Sequence, residues 1–180
     1  MKKRILWIAQ TAVMLALLVT LQAVTKSFGQ LVTGSFVNAV LAVSVLFGGW
    51  GCGVAVALLS PIFAFLLGIA PNVLTVPVIM VGNTFFVLAL RLFCRGTWVR
   101  QVGGLLLSSG IKFIVLHELV VKVICGVAAD YLLSQGLLKA PMLSALPITF
   151  SWPQLVTALI GGGVALMIAP ILKKALRRAS

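Results

Sequence analysis

Between Val102 and Gly126 the chain reads VGGLLLSSGIKFIVLHELVVKVICG. The run is long enough to cross a bilayer as a helix. It nevertheless carries Lys112, His117, Glu118 and Lys122. A charge near the centre of a membrane helix costs about 2.5–3.5 kcal/mol on insertion scales and is tolerated where it faces a partner or a polar cavity. At about 100° per residue, Ser108, Lys112, Glu118 and Lys122 share roughly a third of the helix circumference. Glu118 and Lys122 are spaced to pair. His117 projects from another side. The rest of the fold must supply what this polar stripe faces.

Only 9% of the 180 residues are charged and 62% are hydrophobic, against about 25% charged in soluble domains. These values exclude a water-soluble globular domain and predict a single all-α integral membrane domain over residues 1–180. The net charge of +12 does not indicate nucleic acid, because the basic residues cluster at both termini and in one middle loop. Six spans are expected, at about 5–24, 33–47, 52–69, 78–93, 103–125 and 153–172. Pro61 is expected to kink or break the third. Residues 25–32 extend a helix or dip into the membrane. The apolar connection 127–152 is expected to lie along the membrane surface with a short helix.

Six spans put both ends on one side. With the N- and C-termini cytoplasmic, that side holds Lys2, Lys3, Arg4, Arg91, Arg95, Arg100, Lys173, Lys174, Arg177 and Arg178. The outside keeps only Lys26 and Lys139 beyond the two lysines of the fifth span. This asymmetry sets the orientation. Trp7, Trp50 and Trp98 then fall at the inner boundary and Tyr131 and Trp152 at the outer one, an aromatic belt.

Catalytic and metal chemistry find little material. The chain has two acids, Glu118 and Asp130, and one histidine, with no HExxH or GxSxG motif. Cys52, Cys94 and Cys125 lack ligand spacing, so no metal and no cofactor are expected. A Ser108–Lys112 dyad has no accompanying oxyanion site. The expectation is a protein that is not an enzyme.

Two stripes of small residues suit close helix approach in lipid. Ala9, Ala12, Ala16, Thr20 and Ala23 share one face of the first helix, and Gly53, Ala57, Ser60, Ala64 and Gly68 one face of the third. One or both are expected to meet a partner. The glycines at 161–163 read as packing. In depth, Asn38, Asn72, Asn83, Lys112, His117, Glu118 and Lys122 gather in the outer half of the bundle, if their helices turn them inward. Lys112 has no obvious acidic mate, since Asp130 is roughly 27 Å away along an ideal helix. The set suits a small solute bearing a carboxylate or phosphate.

The segments AVMLA (12–16), TGSFVNAVL (33–41), LLSPIFAFLLGIAPN (58–72) and VGNTFF (81–86), with the six spans and basic ends, resemble uncharacterised members of the substrate-specific S components of energy-coupling factor (ECF) transporters. The resemblance implies a prokaryotic plasma-membrane subunit that captures a vitamin-like micronutrient from outside. It would then dock on a scaffold membrane subunit carrying two ATPases. The alanine motif of such proteins meets the scaffold, which assigns docking to Ala12 and Ala16 with Ala9 beside them; Gly53 and Ala57 extend that assignment. No residue set marks a thiamine, riboflavin, folate, biotin or cobalamin type. Pantothenate, nicotinate, lipoate or another small anion suits the two lysines better. The alternative is a self-contained oligomeric secondary transporter or channel using Glu118 and His117 as proton-linked groups.

Overall fold

The computed structural model describes residues 2–70 and 72–179; Met1, Pro71 and Ser180, and the side chains of Lys2, Lys3, Lys173, Leu176, Arg177, Arg178 and Ala179, lie outside the described set. All regular structure among the described residues is helical. Helix α1 (Lys2–Thr25) leads through a 3-10 turn (Lys26–Phe28) into α2 (Gln30–Leu66). Then come α3 (Thr75–Phe93) and α4 (Trp98–His117), which continues as a π-helical segment (Glu118–Val127). Two short helices, α5 (Ala129–Ser134) and α6 (Ala140–Thr149), precede α7 (Trp152–Ala179).

Helix α2 is not one rod. Gly49 has φ 79° and ψ −174°, a conformation that side chains disfavour. The chain reverses there. A Cβ on Gly53 would stand 2.6 Å from Val45 Cβ, whereas an unbroken helix would hold residues eight apart about 12 Å apart along its axis. The two arms of α2, 30–48 and 50–66, therefore lie against each other. The helix is not broken at Pro61: Gly49 alone has non-helical dihedrals inside α2.

The α2 arms pack against α1, α3 and α7, α3 packs against α4, and α4 against α7. This closes a ring around a core of Leu41, Val45, Val56, Phe86, Val87, Leu90, Leu105 and Ala158. α1 is attached to the outside of α2 and is the least buried of the long apolar helices. Among the described residues, four stretches are long and apolar enough to cross a membrane: Arg4–Phe28, Gln30–Leu66, Thr75–Phe93 and Ala140–Leu172. Large apolar side chains such as Ile5, Leu6, Val13, Leu66, Leu106, Ile114 and Met167 cover the outside. In water, so continuous an apolar exterior would drive association.

The connection 127–152 carries two short helices where one was expected. It folds into α5 and α6 and caps one end of the ring. Leu138, Leu146 and Phe150 are buried there against Leu116, Val120 and Ile124.

The glycine run of α7 sets the closest helix crossing. A Cβ on Gly161 would lie 2.3 Å from Ser35 O and 2.6 Å from Ala39 N. Backbone meets backbone there, so no side chain fits. Gly163, two residues on, has open space. Gly161→Ala is therefore expected to cost about 1–3 kcal/mol through overpacking, read as a lowered Tm in detergent. Gly163→Ala should leave Tm unchanged or slightly raised.

Candidate functional site

The Gly161 crossing has a direct consequence one turn earlier on α7. Thr157 is pressed against Gly34 of α2, and its Oγ1 accepts a hydrogen bond of 3.2 Å from Asn38 Nδ2. The Asn38 side chain is thereby held with its oxygen turned toward α4. Across the ring, Gly82 leaves room for Leu116, which brings α4 close to α3 at Asn83. Lys112 of α4 enters between the two asparagines. Its Nζ donates to Asn38 Oδ1 at 2.6 Å and to Asn83 Oδ1 at 2.8 Å, and lies 5.2 Å from the centre of the Phe86 ring.

Lys112 is 2% exposed. No carboxylate among the described residues faces it: two amide oxygens and an aromatic face take the place of a counter-ion, all of them favourable to a cation. An ammonium has three N–H donors, and the two amides occupy two. The third is left for the space beside it.

That space is a cavity of about 350 Å³, with Asn38, Asn83 and Lys112 among its lining residues. Its other end reaches Lys26, Gln30 and Thr149. From Asn38 to Gln30 along α2 is about 12 Å, so the cavity runs from mid-bundle to the capped end, opposite the chain termini. Two buried polar atoms on its walls have no hydrogen-bond partner among the described residues, Gln22 Oε1 and Ser60 Oγ. These residues are 5% and 1% exposed. Orphaned groups of this kind are rare in native proteins and call for a ligand or water. Val37, Pro61, Ala64, Ile79 and Phe150 supply apolar wall between them. At the mouth, Lys26 Nζ donates to Leu67 O at 3.1 Å and Gln30 Nε2 to Thr149 O at 2.9 Å. These two long side chains span from the α1–α2 turn to neighbouring elements.

Of the residues expected to form a site, Asn38, Asn83 and Lys112 come together. The other four do not line this cavity. Asn72 closes a turn: its Oδ1 accepts from Leu74 N at 3.0 Å, and its Nδ2 donates to Leu137 O at 2.8 Å. His117 stacks on Phe113, and its Nδ1 lies 3.4 Å from Ser151 Oγ. Glu118 and Lys122 pair with each other on the exterior, with side chains 45% and 69% exposed. The physical reason is angular. Lys112 and Glu118 stand at opposite edges of their shared sector, about 120° apart on an α-helix. Only the Lys112 edge faces the ring. From Glu118 the π-helical winding turns each residue through a smaller angle, which carries Lys122 still further from the cavity.

The two small-residue stripes also separate. Ala9, Ala12, Ala16, Thr20 and Ala23 are all exposed on α1. The helix uses its nearly opposite face, Thr11, Leu18, Gln22 and Thr25, to pack. Gly53 and Ala57 correct the expectation of a second docking face. Both are buried, Gly53 against Val45 of the other α2 arm, so their small size serves internal packing.

Gln22, Ser60, Lys26 and Thr157 contribute to the site without having been singled out for it. Gln22 had a signal: with Thr11 and Thr25 it forms a polar line on α1 nearly opposite the alanines. Ser60 was hidden inside a stripe of small residues. Among the described residues, no three His, Cys, Asp or Glu side chains form a metal-ligating group. Compared with known protein families, curated proteins and solved structures, the chain matches none.

The clamp predicts strong coupling. Asn83→Leu strips Lys112 of one acceptor and should cost about 1–3 kcal/mol. In the double variant with Lys112→Met the two losses should fall short of additive by at least about 0.5 kcal/mol, measured by unfolding in detergent. Full additivity would mean that the two groups do not depend on each other.

Proposed function

We propose that this protein is the substrate-capturing S component of an ECF-type importer. It would sit in a prokaryotic plasma membrane as a six-span bundle with cytoplasmic termini. In this reading α1, the two arms of α2, α3, α4 with its π-helical extension, and α7 are the six spans. Arg4, Arg91, Arg95, Arg100 and Lys174 lie toward the end that holds the termini, so the positive-inside rule turns that end to the cytoplasm and the cavity mouth outward.

The observation that carries the proposal is the cavity itself. It has a buried ammonium with one uncommitted donor at its floor, orphaned polar atoms on its walls, and its mouth at the end away from the termini. Its volume corresponds to about a dozen water molecules, enough for a small vitamin-like anion. The anionic group would sit against Lys112, with Gln22 and Ser60 reading polar groups along the solute and apolar walls covering its body. The exposed alanine face of α1 supports the second half of the mechanism. It leaves a smooth strip on the outermost helix, where a scaffold helix could approach closely without disturbing the cavity. The scaffold and its two ATPases would supply the energy. The alternative of a self-contained transporter driven through Glu118 and His117 gains no support, since neither residue lines the cavity.

Small molecules that copurify with the detergent-solubilised protein should include one vitamin-like anion, identified by mass spectrometry and confirmed by thermal-shift titration. Lys112→Ala should weaken its binding at least tenfold, about 1.4 kcal/mol. No retained solute and no stabilisation across a vitamin panel would count against capture. The double variant Ala12→Trp/Ala16→Trp should abolish uptake in cells while leaving binding intact. Loss of both, or of neither, would remove docking from α1.

A further inference from the structure

A second cavity, about 250 Å³, lies at the end that holds the termini. The α2 reversal (Leu46, Phe47), the α3–α4 connection and α7 (Leu166) enclose it. Its polar wall is formed by Arg91, Arg95 and Gln101. Arg91 Nε is buried there and has no acceptor among the described residues. A buried guanidinium N–H without an acceptor is costly.

The polar neighbours of Arg91 on this wall do not accept from it as they stand. Arg95 Nε donates to Arg91 O at 2.8 Å, and Gln101 Nε2 to Gly96 O at 2.8 Å. Arg100 adds a third cation close by, its Cδ within 3.6 Å of where a Gly96 Cβ would stand. The chain's two acidic side chains, Glu118 and Asp130, belong to elements at the other end of the bundle. The connection leads into the first turn of α4, and a helix start also favours negative charge. An anion with several acceptor oxygens is what this wall lacks. The remaining wall is apolar, and Leu92, Phe93, Trp98 and Val99 are exposed beside it.

Cationic floor and apolar surround together fit a phosphate that carries acyl chains. We infer that this cavity binds the headgroup phosphate of an anionic phospholipid, with Arg91 as its main clamp and Arg95 closing over it. Basic pockets between helices on the cytoplasmic side are a known form of lipid recognition. The inference rests on the bilayer placement above and not on substrate capture, so loss of either reading leaves the other standing.

The test is native mass spectrometry and thermal shift on the delipidated, detergent-solubilised chain. Phosphatidylglycerol, phosphatidylcholine and inorganic phosphate are added separately. Phosphatidylglycerol is expected to be retained and to raise Tm, with at least tenfold weaker effects from the other two. Arg91→Gln should reduce phosphatidylglycerol retention at least tenfold, Arg91→Lys should reduce it less, and Lys122→Gln at the far end should not change it. The wild-type comparison stands even if Arg91→Gln folds poorly. Equal retention of phosphatidylcholine would overturn the proposal. So would equal stabilisation by inorganic phosphate, which would mark a free-anion site. Unchanged lipid retention in a folded Arg91→Gln that fails to assemble with an ATPase-bearing partner would assign the cavity to a protein carboxylate instead.

Discussion

A buried ammonium without a carboxylate is the constraint around which this bundle is arranged. Lys112 can stay in an apolar interior only if polar atoms meet its donors, and the nearest ones come from two other helices. Asn38 and Asn83 must therefore arrive together from α2 and α3, and α7 must hold Asn38 through Thr157. Those approaches need close crossings, which the absent side chains of Gly161, Gly34 and Gly82 permit. Polar clamp and glycine crossings are one device: the glycines bring the backbones near, and the lysine ties three helices at that depth.

The same device leaves a cavity rather than filling it. Above the clamp, towards the capped end, the lining contains small or polar residues, Gly34, Ser60, Ala64 and Gly68 among them. These do not reach across. The α5–α6 connection closes over this end with an apolar cluster of its own, while Lys26 and Gln30 bridge the mouth by single hydrogen bonds to exposed carbonyls. Such contacts are cheap to break beside a packed core, because exposed partners regain water when they separate. The proposed capture of a solute would draw on this contrast between a packed floor and a lightly fastened mouth.

Much of this was legible one residue at a time. Lys112 stands out in the sequence because it has no acid in reach, and it lies at the cavity floor. Asn38 and Asn83 stand out as polar residues within apolar runs, and they are its partners. His117, Glu118 and Lys122 carried the same signal and yet stand elsewhere. A helical projection places residues within a sector but not the edge of the sector that faces inward. Residues 118–127 also leave α-helical spacing. Asn72 shows a second limit: a polar side chain near a proline-rich loop can serve its own turn.

The sequence by itself determined the class of this protein. Long apolar runs with few charges and no strand-like alternation satisfy their backbone as helices, and the FGGWG turn (47–51) and the basic segment 91–100 divide those runs. Tertiary structure alone decided which faces are inside. The stripes on α1 and on the second arm of α2 look alike in sequence. One is exposed and the other is buried from Gly53 to Ala64, because α2 reverses at Gly49 and packs that stripe inward, while α1 touches the bundle from one side only. Burial is a property of what lies across a surface, and that is set by contacts between residues far apart in the chain.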